Sequence, residues 1–202
     1  MPLQNRVQPD GSIIATMAHG RFMGNRGILH NDPRQLGVPR WKHKAWVCCA
    51  LSSKNRHRTV LAPHSYTELF FLDEAVAIAA GHRPCAECRR ADYTRYVDAW
   101  TAATGIRPKA PEIDSVLHPA RVRCDRIQVT FDAPAHDLPR GTMIKVTGQT
   151  YLLGATTMQP YQTTGYGHTI PRPNGQVTVL TPAPSVAALR HGYAPNLHPS
   201  AA

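Results

Sequence analysis

Residues 80–90, AGHRPCAECRR, hold the feature that most restricts this chain: Cys85 and Cys88, three positions apart behind a proline. At that spacing one tight turn points both sulfurs to the same side while its amides hydrogen-bond back to them, so the pair can share a metal ion. Pro84 stiffens the approach to the turn, and Arg83, Arg89 and Arg90 flank it with positive charge that favours the thiolate form. A redox couple of the same spacing calls for a thioredoxin-like βαβ setting, which the flanks do not supply. Cys48, Cys49 and Cys124 bring the total to 5, an odd set that does not suit a disulfide framework.

A tetrahedral structural site needs two further donors. Cys48 and Cys49 are nearest in chemical type, but adjacent side chains diverge, so one of the two is spare. The fourth donor then comes from among Cys48, His57, His64, His118 and Cys124. RPCAEC also contains half of the nucleobase-deaminase signature, which requires His or Cys two places before a glutamate upstream. Of Glu68, Glu74, Glu87 and Glu112, only Glu87 meets that spacing, through Cys85 itself, which argues against a deaminase of the usual layout.

The run ELFFLDEAVAIAAGHRPCAECRR resembles the zinc-binding domain at the N-terminus of Ada-type DNA alkylation-repair proteins. Phe70, Phe71, Glu74, Ala75, Ala80, Gly81, Arg83, Pro84, Cys85, Cys88 and Arg89 match that pattern, with His82 in its aromatic slot and AWVCC in the place of its upstream cysteines. The likeness spans about residues 46–92. It implies a four-thiolate Zn2+ site, here Cys48, Cys49, Cys85 and Cys88, and contact with DNA phosphates. In that family one zinc-bound cysteine also accepts a methyl group. The family spaces its first pair C-x-x-x-C, whereas Cys48 and Cys49 are adjacent and the stretch before Phe70 is longer. That departure argues against methyl acceptance and leaves zinc binding in place.

The formal charge of +10 points to a polyanionic partner, most simply nucleic acid. No acid occurs from Pro33 to Thr67, while Arg34, Arg40, Lys42, Lys44, Lys54, Arg56 and Arg58 are basic and Trp41 and Trp46 offer stacking surface. Upstream, Arg21 and Arg26 sit among Gly20, Gly24 and Gly27, where backbone can approach a phosphate closely. Expected nucleic-acid contacts are therefore Arg21, Arg26, Lys42, Lys44, Arg56, Arg58, Arg83, Arg89 and Arg90. The polar N-terminus does not read as a signal peptide, and no apolar run is long enough to span a bilayer, so a cytoplasmic location is expected.

The expected fold is α+β, a small zinc-binding helical module joined to a mostly β C-terminal part. Residues 1–45 read as a basic, glycine-rich β segment, 46–105 as the zinc module, 106–122 as a proline-punctuated connector and 123–202 as the β-rich domain. Asp73 is placed to cap a helix over EAVAIAA that Gly81 stops. A second helix runs from the cysteine turn to Thr104, with Tyr93, Tyr96, Val97 and Trp100 at helical spacing and Gly105 at its end. RIQVTF, TMIKVTG, TYLLGATT and VTVLT read as strands, and Ser185 to His191 as a short helix.

His30, His118 and His198 each follow a leucine and precede a loop-like stretch, which makes them candidate catalytic groups if they converge. Tyr161, Tyr166, His168, Arg172 and Tyr193 suit either base stacking or tight turns. Together these features predict a zinc-containing DNA-binding protein of repair or modification. The alternative is an enzyme on a modified or damaged nucleobase that uses the loop histidines.

Overall fold

The computed structural model describes residues 1–31, 34–52 and 59–202. Its first half supplies strands β1 (Gln4–Val7), β2 (Ile13–Ala15), β3 (Phe22–Asn25), β4 (His30–Asn31), β5 (Gln35–Leu36), β6 (Val47–Ala50) and β7 (Leu69–Phe71), then helix α1 (Glu74–Ala79), β8 (Arg83–Pro84), α2 (Arg90–Thr104) and α3 (Ala110–Arg121). The second half adds β9 (Phe131–Pro134), a 3-10 turn (Ala135–Asp137), β10 (Met143–Val146), β11 (Gln149–Leu153), β12 (Thr157–Gln162), β13 (Gly165–Tyr166), β14 (Ile170–Pro171), β15 (Gln176–Val179) and α4 (Ala183–Arg190).

The first sheet runs β2-β1-β7-β3-β6-β8, and the second β13-β12-β11-β10-β15-β9 with β14 on β12. Helix α1 lies between them. Its sequence, EAVAIA, is apolar around most of its circumference, which only a helix covered on several sides can tolerate. Ala75, Val76, Ala77 and Ala79 share one core with Val7, Leu69 and Phe71 of the first sheet and Met143, Leu152 and Leu180 from the second half. The α+β class and the mostly β second half are as expected. Residues 46–105, expected to form a small helical module, supply β6, β7 and β8 to a six-stranded sheet that also holds β1, β2 and β3.

Asp73 caps α1 by accepting from the Val76 N–H at 3.0 Å, and Gly105 closes α2 in the left-handed conformation. Tyr96, Val97 and Trp100 turn one face of α2 into a core with Ile113 and Leu117 of α3 and Ala188 and Leu189 of α4. The stretch expected to be a connector is therefore partly helix. Pro111 falls in the first turn of α3, where a missing N–H costs nothing, and Glu112 accepts from the Lys109 N–H at 2.6 Å. RIQVTF, expected as a strand, contributes only Phe131 to β9; Arg126 has φ 71° and Gln128 makes an isolated bridge with Val122.

Candidate metal centre and the basic residues around it

Cys48 and Cys49 occupy successive positions of β6, opposite Gly24 and Met23 of β3. Consecutive strand residues face opposite sides of a sheet, and the two cysteines divide accordingly. The Cys48 side chain is fully buried in the inter-sheet core, while Cys49 points outward. Gly24 is required beneath Cys48, since a Cβ there would lie 2.4 Å from the Phe71 ring.

The downstream cysteines reach Cys49 because β8 pairs in parallel with β6, Val47 beside Arg83 and Cys48 beside Pro84. The Cys85 N–H donates to the Cys48 carbonyl at 2.9 Å, continuing that pairing, and the Arg89 N–H donates back to the Cys85 carbonyl at 3.1 Å as the chain turns into α2. The sulfurs of Cys49, Cys85 and Cys88 then lie within 4.8 Å of one another. Zn–S bonds of about 2.3 Å set tetrahedral sulfurs about 3.8 Å apart, so a small contraction around an ion completes the geometry.

The protonation chemistry fits a cation. Cys85 is held well below the usual thiol range by donation from the Cys49 and Cys88 thiols and by the amides of Cys88 and Glu87. Cys49 is pushed up because it donates to Cys85 and Cys88. Cys88 is also raised: donation from Cys49 lowers it, but its own donation to Cys85 and its burial outweigh that. The three sulfurs thus share protons around one thiolate, and only a positive ion would let all three ionise at this separation.

The expected set of four thiolates is not what the fold brings together. The Cys48 sulfur stands outside the cluster, where it accepts from the Arg89 guanidinium at 3.2 Å, and burial pushes its thiol up. Cys124 is exposed elsewhere, and His57 lies outside the described residues. The open side of the cluster faces a cavity of about 350 Å3 lined also by Tyr66, Glu68 and Phe70. Glu68, 5% exposed, accepts from the Leu61 N–H at 2.8 Å through Oε2, while its buried Oε1 has no partner among the described residues. In the sequence Glu68 is marked only as the first acid after the basic stretch.

The expected phosphate contacts separate into two groups. Arg21, Lys42, Lys44 and Arg90 are exposed, and Arg56 and Arg58 lie outside the described residues. Arg26, Arg83 and Arg89 are buried and do not present their charge as free surface cations. Arg83 makes a two-pronged pair with Asp114 at 2.8 and 2.7 Å, and Arg89 is ion-paired with Glu74 at 2.8 Å and Asp92 at 2.7 Å. Both are held inside the fold by acids, Arg83 by Asp114 of α3 and Arg89 by Glu74 of α1 and by Asp92 three residues on. Gly20, Gly24 and Gly27 likewise make room for protein, as a Cβ on each would meet Phe71, Phe71 and Lys42 within 2.7 Å.

Arg26 has no acid partner among the described residues. Its Nε donates to His82 Nε2 at 3.2 Å, its guanidinium carbon lies 4.0 Å from the Trp46 ring centre, and its buried NH2 is unpartnered. Arg121 approaches the same ring at 3.9 Å and donates to the carbonyls of Gly81 and Lys44, both at 2.7 Å, while its buried Nε is unpartnered. The acid nearest in effect, Asp114, is taken by Arg83. Burial first, then Arg121 and Arg40, bring Arg26 down to about 9, and burial brings Arg121 down to about 9, so both keep their charge at neutral pH. A desolvated cation–π contact is worth about 2 kcal/mol, against several for removing an ion from water, so Trp46 offsets only part of the cost.

The three histidines are not brought together. His30 bonds Thr67 Oγ1 at 2.7 Å and the Ala62 carbonyl at 3.2 Å, His118 lies on α3 beside Trp41 and Arg121, and His198 Nδ1 lies 2.8 Å from Ser200 Oγ. They share no partner, and among the described residues the cysteine trio is the one group with metal-ligand proximity. Tyr166 and Tyr193 spend their hydroxyls on Asp73 at 2.9 Å and Glu74 at 2.6 Å, tying the second half to α1. No described helix is long and apolar enough to cross a membrane. Comparison with protein-family models, with curated proteins and with solved structures finds no match.

Proposed function

We propose that this chain is a zinc-thiolate protein that binds nucleic acid, DNA foremost, in the setting of repair or modification that the Ada-type resemblance implies. The observation that carries the reading is the meeting of Cys49, Cys85 and Cys88, drawn from two distant segments and joined by the parallel pairing of β6 with β8. Zinc bound there would keep the three sulfurs deprotonated and fix the start of α2 to the sheet. Arg21, Lys42, Lys44 and Arg90 supply exposed positive charge for phosphates. Methyl acceptance stays outside this reading, because the adjacent Cys48 and Cys49 depart from the family's C-x-x-x-C spacing and Cys48 is buried outside the trio.

Duplex binding by four such cations gives a slope of log affinity against log salt of about −3.6, an affinity loss on the order of 100-fold between about 50 and 200 mM salt. Fluorescence anisotropy with a labelled duplex measures it, and Lys42→Ala with Lys44→Ala should flatten the slope by about 2. Affinity that does not change with salt would overturn the nucleic-acid reading.

A second reading, hydrolysis of a base or nucleoside, is favoured by Glu68. Zinc bound at the cluster would supply an activated water, and Glu68 Oε1, buried on the same cavity without a partner among the described residues, would hold and pass a proton. Release of ammonia or free base by the metal-loaded protein, lost in Glu68→Gln with metal content unchanged, is the result this reading requires.

A further inference from the structure

The cleft over Trp46 is a second candidate site, independent of the sulfurs. A cavity of about 420 Å3, within the roughly 300–1,000 Å3 of small-molecule sites, is lined by Arg26, Arg40, Trp41, Trp46, Arg121 and Arg126. Its floor is cationic: Arg26 and Arg121, each 2% exposed, each leave one buried guanidinium nitrogen without a partner. No described carboxylate pairs with any of the four arginines; Asp10, at the mouth, is bonded to Ser12, and Asp125, also there, to Arg123. Arg40 and Arg126 hold the rim by donating to carbonyls of residues 37–39, leaving the loop that carries Trp41 braced against the cleft.

We propose that this cleft binds a nucleotide monophosphate, free or as the phosphorylated end of a strand. Fixed guanidinium forks match the oxygens of a phosphate, and two of them converge on one ring without a carboxylate between them. The exposed Asp10 and Asp125 disfavour a continuous polyanion at the mouth and suit a ligand whose outer part is uncharged and donates hydrogen bonds. Half-exposed Trp41, whose ring centre lies 5.9 Å from that of Trp46, offers the planar surface for a base.

The test uses the full chain, titrated calorimetrically with inorganic phosphate, nucleoside 5′-monophosphates and the corresponding nucleosides, with tryptophan fluorescence as a second readout. At least one monophosphate is expected to bind at one site per chain, about tenfold or more tighter than its nucleoside and than phosphate alone. Arg26→Met should abolish binding. Arg40→Ala and Trp41→Ala, at half-exposed positions, serve as the second arm, each weakening binding about tenfold in protein that remains folded by circular dichroism. Oligonucleotides with and without a 5′-phosphate separate the two sources: competition by the phosphorylated strand assigns its end, and competition by neither assigns the free nucleotide. Absence of binding at about 10 mM ligand, indifference to both rim variants, or phosphate binding as tightly as every monophosphate would overturn the proposal. Metal content is untouched by these variants, so failure here leaves the thiolate centre standing.

Discussion

The sulfur cluster and the arginine cleft each gather like-charged groups at a half-closed surface, and they handle the problem differently. Thiols can keep their protons, and mutual donation raises Cys49 and Cys88 while it lowers Cys85. Guanidinium groups have no such escape near neutral pH, and Arg26 and Arg121 remain charged with only carbonyls, a histidine nitrogen and the Trp46 ring for company. The pairs Arg83–Asp114 and Arg89–Glu74 show what the fold does when a buried arginine is purely structural: it brings an acid. An unpaired buried charge in the same molecule is therefore informative, and a shared-proton cluster is informative in the opposite sign.

The largest expected effect falls on the sulfur cluster. Cys85→Ser or Cys88→Ser should release the ion and lower the melting temperature sharply, because structural zinc contributes on the order of 10 kcal/mol in small sites. Next comes the contrast between paired and unpaired arginines. Asp114→Ala strands Arg83 and should cost about 3–5 kcal/mol, whereas Arg26→Met should change stability by less than about 1 kcal/mol or raise it. Equal losses in denaturant unfolding would break the distinction drawn above.

His82 gives a pH test of the same cleft. Burial, then Arg26 and Arg121, holds its pKa well below the usual value, so it is neutral in the fold while the unfolded chain takes up a proton below about 6.5. Its contribution is whole above that pH and is lost as pH falls, by about 1.4 kcal/mol per unit. His82→Phe, which keeps a ring against Trp46 and Phe71, should remove that slope in thermal melts between about pH 5 and 6.5.

The smallest effect compares two left-handed glycines. Gly81→Ala would place a Cβ 2.4 Å from Arg121 Cδ, whereas Gly105→Ala meets open space. Both pay for the positive φ, about 1 kcal/mol, and the first should lose measurably more because Arg121 must leave its seat on the Gly81 carbonyl.

Several local signals in the sequence survived. Asp73 and Gly81 bracket α1, the aromatic spacing of α2 lies in its core, VTVLT overlaps β15, and Cys85 and Cys88 meet one of the adjacent cysteines. The missing parts depended on partners far along the chain. Nothing near Arg83 announces Asp114, and nothing near Arg89 announces that Glu74, fifteen residues upstream, will join Asp92 in pairing with it, so both read as free cations. Prolines at 108, 111 and 119 suggested a connector, yet Pro111 sits where a helix tolerates it and α3 buries Ile113 and Leu117. Which of Cys48 and Cys49 faces the cluster was open for a sharper reason: strand parity decides it, and parity is fixed by pairing with β3 and β8.

That parity allows a direct check. Metal content per chain, measured on protein purified under reducing conditions, should be about one for wild type and Cys48→Ser and near zero for Cys49→Ser. Metal retained by Cys49→Ser and lost by Cys48→Ser would contradict the assignment of the centre to Cys49, Cys85 and Cys88.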